Sequence, residues 1–312
     1  MFAYLTRRVL QMIPTLLGVI LLVFFLFKYF GGDPAELLAG MSATPEQIAS
    51  IRAQLGLDRP VLEQLWIFIG QIATFDWGSS WATKESIANL FRTRLPATLT
   101  IMLPILVLEV ALAIVAGVAV AYVRGSLTDR AIMVLTTVAL SISFLVYIVV
   151  GQYVFGFLLG WFPVQGWSNS LWKNLITYAP LPVFLAVMVS LAPQTRLYRS
   201  FFLDEIGQDY VRTARAKGVT ENTILFKHVL RNAMNPILTN VPTQLPGIFV
   251  GSFLIEVFFS IPGVGREILL AVNRSDYPVI QAATVYLAAL TMVINLITDV
   301  LYKFVDPRVT LK

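Results

Sequence analysis

Three carboxylates lie inside runs of sequence that are otherwise apolar: Glu109, Glu256 and Asp299. An ionisable side chain among such neighbours faces a bundle interior or a water-filled path, because a charge in hydrocarbon is costly. Glu109 and Glu256 are therefore candidates for lining a translocation path. The competing reading of Glu109 is a structural hydrogen bond to a neighbouring helix. Asp299 precedes Lys303 by four residues, a helical spacing that also fits an interfacial ion pair. Other chemistry is thin. His228 is the only histidine and there is no cysteine, so disulfides, thiolate metal sites and paired His or Cys ligands are excluded. The lone histidine supports no Ser-His-Asp set, leaving no catalytic and no metal-binding candidate. No G-x-x-x-x-G-K-[ST] loop occurs, so the chain binds no nucleotide through a P-loop. The Gly263-Val264-Gly265 sequence is expected to be a turn.

The elements that position these groups are long and apolar. The 312 residues are 57% hydrophobic, with mean hydropathy +0.75, against about 45–50% in soluble domains. Six runs reach the ~20 residues that cross a bilayer: 9–30, 98–123, 132–161, 175–195 (interrupted by Pro180 and Pro182), 237–261 and 279–305. An all-α polytopic membrane protein follows; the alternating short strands of a barrel are absent. The chain divides into 1–30 (N-terminus and first span), 31–97 (an extracytoplasmic segment) and 98–312 (a five-span core). Arg7 and Arg8 precede an apolar run without a small-residue cleavage site, so the first span is expected to be retained. Six spans put both termini on one side. That side holds 14 of the 23 Lys and Arg, which makes it cytoplasmic. The net charge of +5 thus reflects orientation rather than affinity for nucleic acid. All six Trp fall on the outward side.

Residues 31–97 are patterned. Thr44-Pro45-Glu46-Gln47 spells an N-cap, a first-turn proline and a capping-box glutamine, opening a helix to Leu55 that Gly56 closes. A second helix after Pro60 sets Leu62, Leu65, Trp66, Ile69 and Ile72 on one stripe. Two amphipathic helices flanked by Trp77 and Trp81 fit a layer on the outer membrane surface, either a docking platform or gate, or a cover over the bundle.

The most polar long stretch, 196–236, carries seven Lys and Arg between two spans. A short helix is expected from Asp209, as N-cap, to Lys217. Gly218 stands where a helix end needs positive φ. A second helix is expected from Thr220 to Met234, with Pro236 in the first turn of the next element. A basic helix–Gly–helix segment also suggests a DNA-reading corner, but two flanking spans tether this one to the membrane.

The run Asp209-Tyr210-Val211-Arg212-Thr213-Ala214-Arg215-Ala216-Lys217-Gly218, followed by Leu230-Arg231-Asn232-Ala233-Met234-Asn235-Pro236, resembles the coupling loop of inner-membrane subunits of ATP-binding-cassette importers. It is most similar to the first permease type of the dipeptide, oligopeptide and nickel branch. The resemblance spans nearly the whole chain: Arg7-Arg8, Gly32-Asp33-Pro34, Leu55-Gly56-Leu57-Asp58-Arg59-Pro60, Leu95-Pro96-Ala97-Thr98, Ser260-Ile261-Pro262-Gly263-Val264-Gly265, Asp276-Tyr277-Pro278 and Asp306-Pro307-Arg308 all fit it. Arg212-Thr213-Ala214 replaces the wider superfamily's Glu-Ala-Ala, as is usual in the peptide branch. The outward loop 161–180 is short for a dipeptide permease, so the cargo stays open. The resemblance implies a type I importer permease in a bacterial inner membrane. Asp209, Tyr210, Arg212, Thr213, Ala214, Arg215, Lys217 and Gly218 would engage a cytoplasmic ATPase. It further implies a second homologous permease, two ATPase subunits holding ATP and Mg, an extracytoplasmic substrate-binding protein and surrounding membrane lipid. The chain itself would hold no cofactor, catalyse nothing and bind no nucleic acid. An ion- or proton-coupled carrier is the alternative, but no inverted repeat with matching broken spans is present.

Overall fold

The computed structural model describes residues 2–40 and 43–305. In chain order its helices are α1 (Phe2–Phe30), α2 (Pro34–Ala39), α3 (Pro45–Gln54), α4 (Val61–Ala73), α5 (Ile87–Tyr122), α6 (Leu127–Ser141), α7 (Phe144–Gly151), α8 (Leu171–Lys173), α9 (Pro180–Ile206), α10 (Asp209–Ala216), α11 (Glu221–Thr223), α12 (Leu230–Val250), α13 (Phe253–Phe258), α14 (Val264–Asn273) and α15 (Tyr277–Val305). Wider π turns occupy Gln152–Leu158, Asn174–Tyr178 and Ile224–Val229. Among the described residues the only β pairing is an isolated bridge between Ser79 and Ser86. Among the described residues five helices are long and apolar enough to cross a membrane, and a sixth crossing is made if α6 and the α7 segment count as one span bent by 89°. The all-helical, polytopic expectation holds. The Asp306-Pro307-Arg308 tail and the side chain of Lys303 lie outside the described residues.

Several boundaries differ from those expected. The third run is not one straight helix: Ile142 and Ser143 are extended, and α7 restarts after them. The second begins at Ile87 rather than Thr98, carrying Pro96 and Pro104 inside α5. The fourth is not interrupted at Pro180, which opens α9, and it continues through Ile206. Most instructive, no junction separates the polar stretch from the fifth span. Residues 221 to 250 are helical throughout, past Pro236, Pro242 and Pro246. Proline removes one ladder hydrogen bond, a loss that membrane helices tolerate when their surroundings compensate. The break comes instead at Gly251-Ser252, with Gly251 at φ 74°. Gly263-Val264-Gly265 is no free turn: Gly263 caps α14 and the next two residues begin it.

The chain forms two compact units. The first comprises 1–97 and 262–297. Ile87, Phe91, Val264, Ala271, Val279, Ala282 and Ala283 make its buried centre. Asp276 is buried there; it accepts the Ser80 hydroxyl and the Trp81 and Ala82 amides (3.0 and 3.3 Å). That fixes the turn carrying Trp81. The capping box forms as expected: Gln47 N–H donates to Thr44 Oγ1, and the Thr44 amide donates to Gln47 Oε1. A helix that periodicity did not announce, α2, begins after Asp33, whose carboxylate accepts the Ala35 amide at 2.9 Å and pairs with Arg52.

Burial works to raise the Asp33 pKa, but the Arg52 guanidinium, the Ala35 amide and the charge of Lys28 outweigh it and hold the carboxyl below its ordinary 3.8. A depressed native pKa means that the stabilisation is complete above the unfolded value and is lost as pH falls through the native one. Acidification below pH 3.8 should therefore lower the hydrogen-exchange protection factors of the α2 amides. Asp33→Asn, still a capping residue, should remove that acid step, and an unchanged acid profile would show that Asp33 does not carry it.

The second unit comprises 98–261 and the end of α15. Tyr198 and Phe202 of α9 pack with Val211, Ile224, Val229, Ala233 and Ile237. Arg199 grips Asp129 with two hydrogen bonds, Nε–Oδ1 at 3.0 Å and Nη2–Oδ2 at 2.8 Å. Asp129 also accepts the Gly125 amide at 3.0 Å. One α9 side chain thus holds both the turn before α6 and its first residues.

Candidate functional site

The polar stretch is organised by α10. Its underside is Val211, fully buried, with Tyr210 and Ala214 half-buried beside it. Its outer face is bare: Asp209 and Arg212 have 95% and 75% of their side chains exposed, and Thr213, Arg215, Ala216 and Lys217 are exposed as well. The helix is therefore seated by apolar burial while it displays a mostly basic surface. Gln208, not Asp209, takes the N-cap position; Asp209 is the first helical residue, where a carboxylate still meets the positive end of the helix dipole. Arg212 reaches Asp209 at 3.4 Å and the Thr213 hydroxyl donates to the Asp209 carbonyl at 2.9 Å.

Gly218 ends α10 at φ 78°. Its amide donates to the Arg215 carbonyl (2.9 Å) and the Val219 amide to the Ala214 carbonyl (3.1 Å). These two bonds make a Schellman closure, with glycine at the position that must turn left-handed. Across the corner Arg215 clasps Glu221, Nε–Oε1 at 2.7 Å and Nη2–Oε2 at 3.1 Å. The carboxylate's hydrogen bonds raise the Arg215 pKa above its ordinary value, so the pair stays charged. Tyr210 donates its hydroxyl to Glu205 at 2.7 Å; burial, together with that carboxylate, pushes the phenol upward. These contacts set α10 on its corner from both ends.

The two carboxylates singled out in the spans lie in different settings. Glu109, on α5, is buried, with the Ser190 and Gln194 side chains of α9 close beside it. Tyr198 follows on the same helix; its buried hydroxyl has no hydrogen-bond partner among the described residues. Ser190, Gln194 and Tyr198 recur every four residues and so form one polar ladder, a spacing present in the sequence but submerged in an apolar window. Glu256 is 1% exposed and lies on α13, beyond the helix break, where its Oε1 accepts the Thr98 hydroxyl at 2.8 Å. Glu109 thus lies against α9 and Glu256 against Thr98 of α5. Among the described residues no group of three or more His, Asp and Glu could hold a metal.

Comparison with known proteins agrees with this architecture. Residues 113–311 match the family model described as binding-protein-dependent transport system inner membrane component, and residues 1–102 match the corresponding N-terminal region. The chain is 35% identical over 311 residues to a putative peptide transport system permease protein of Brucella abortus, covering 99% of both chains. It is 35% identical over 312 residues to the glutathione transport system permease protein GsiC of Salmonella typhi, covering all of both. To the di/tripeptide transport system permease protein DppB of Pseudomonas aeruginosa it is 32% identical, with 99% of each chain covered. These findings favour a subunit of an ATP-driven importer over a secondary carrier. The chain belongs to the inner-membrane components of binding-protein-dependent transport systems, as a non-catalytic, multi-pass permease subunit.

Proposed function

We propose that this chain forms half of the translocation pathway of a peptide importer and takes its motive force through α10. Asp209, Arg212, Thr213, Arg215 and Lys217 present the surface that seats in a cytoplasmic ATPase subunit, while Tyr210 and Ala214 on the packed side and Gly218 at the corner hold that surface in place. The observation that carries this reading is the asymmetry of α10: a buried Val211 root beneath an exposed, mostly basic face. A second homologous permease completes the pathway, two ATPase subunits bind ATP and Mg, and an extracytoplasmic binding protein delivers cargo. The peptide and glutathione transport named for relatives supports a peptide-class cargo. Glu109, with its α9 ladder, and Glu256 are the pathway carboxylates in this reading.

ATP can act only through differential affinity for inward- and outward-facing states. Moving such an equilibrium from 1:99 to 99:1 takes roughly 5.5 kcal/mol, and in this proposal that difference is delivered at the groove holding α10. The native chain contains no cysteine, so Arg212→Cys supplies a unique thiol. Crosslinking within the assembled transporter should join it to an ATPase subunit in high yield, and ATP should change the yield. Capture of the ATPase from a Cys on the outward side, with none from position 212, would overturn the assignment.

A further inference from the structure

The first unit carries a half-open cavity of about 710 Å³ between the outer end of α1, the segment 32–81 and the start of α15. Its walls are graded. Phe24 and Phe27, on the last turns of the first span, and Phe68 and Ile67 of α4 make the apolar part, whereas Lys28, Arg52 and Arg59 supply positive charge. Asp33 is the only carboxylate in the lining. Arg52 already pairs with it and Arg59 pairs with Glu63 at 3.0 Å, whereas the half-buried ammonium of Lys28 donates to the neutral Gln64 Oε1 at 2.9 Å. Phe24 lies about 9 Å down the helix axis from Phe30, at 1.5 Å per residue, so the cavity runs alongside the apolar first span. Its roof, α4, turns Leu62 and Trp66 outward, each 70% exposed, as suits a helix lying in the bilayer interface.

We infer that this cavity receives an anionic phospholipid of the outer leaflet, its headgroup phosphate at Lys28 and the upper part of an acyl chain against Phe24, Phe27 and Phe68. Three features select a lipid over cargo or a partner's side chain. The apolar end lies along the candidate membrane span Thr6–Phe30, Lys28 sits in the last turn of that span, and the lining carries three cations against one carboxylate. The volume falls in the 300–1,000 Å³ range of small-ligand sites. Bound lipid would tie the extracytoplasmic helices to the first span, a role separate from coupling at α10.

The test uses the intact transporter purified from vesicles of phosphatidylcholine with and without phosphatidylglycerol, followed by native mass spectrometry. The wild type should retain phosphatidylglycerol in preference to phosphatidylcholine. Lys28→Gln should weaken that retention roughly fivefold, the effect of one cation near a lipid surface, and Lys28→Arg should restore it. Equal retention by wild type and Lys28→Gln, or equal retention of the two lipids, would overturn the inference. So would protection of the cavity by peptide or by the binding protein in place of lipid.

Discussion

Gly218→Pro is expected to abolish transport and to uncouple ATP hydrolysis from cargo, while the chain still inserts in the membrane. Proline fixes φ near −65°, whereas the corner holds Gly218 at +78°. Proline also deletes the amide that closes α10 on the Arg215 carbonyl. The loss is one of conformation and not of space, since a Cβ at Gly218 would meet nothing within 4 Å. Gly218→Ala should consequently be mild, costing about 1–2 kcal/mol for the left-handed backbone. Uptake of labelled peptide and ATPase activity in reconstituted vesicles separate the two variants. Coupled transport by Gly218→Pro would show that the corner's shape is immaterial.

Gly251→Val should damage stability more than any surface change on α10. The residue sits at φ 74° in the break of the fifth span. A Cβ there would run into the Glu256 Oε1 atom and come within 2.9 Å of Thr98 Cγ2. Strained backbone costs about 1–3 kcal/mol and overpacking adds about the same, so a loss of roughly 4 kcal/mol is expected. The Thr98–Glu256 hydrogen bond would be pushed apart at the same time. Thermal unfolding in detergent should show a clearly lowered midpoint for Gly251→Val, whereas Thr213→Ala, on the exposed face of α10, should leave it nearly unchanged. Equal midpoints would mean that the break can re-form around a side chain.

What could be seen in the sequence follows from how local each signal is. The capping box at Thr44, the glycine at 218 and the apolar runs are written in adjacent residues, and they appear where expected. The stops were less legible. Pro236 announces an end in a soluble helix, yet the helix continues through it, and the actual break falls on Gly251, one glycine among several small residues. Ser143 gave no hint of the bend between α6 and α7, because hydropathy stays high across it. Long-range polar pairs were out of reach altogether: nothing in the primary order couples Asp129 to Arg199, or sets Glu109 beside Ser190 and Gln194. The face of α10 that packs was partly visible, since Val211 is the one aliphatic residue longer than alanine between Asp209 and Lys217. Gln208 took the cap because an extended backbone suffices there without a side-chain hydrogen bond.

The unbroken winding from Glu221 to Val250 has a mechanical corollary. At 1.5 Å per residue it is a strut of roughly 45 Å, longer than the ~30 Å hydrocarbon slab. With no non-helical junction along it, the strut passes a displacement of its inner tip through the winding, modulated at the π turn and at Pro236, Pro242 and Pro246. The winding first breaks at the glycine at 251.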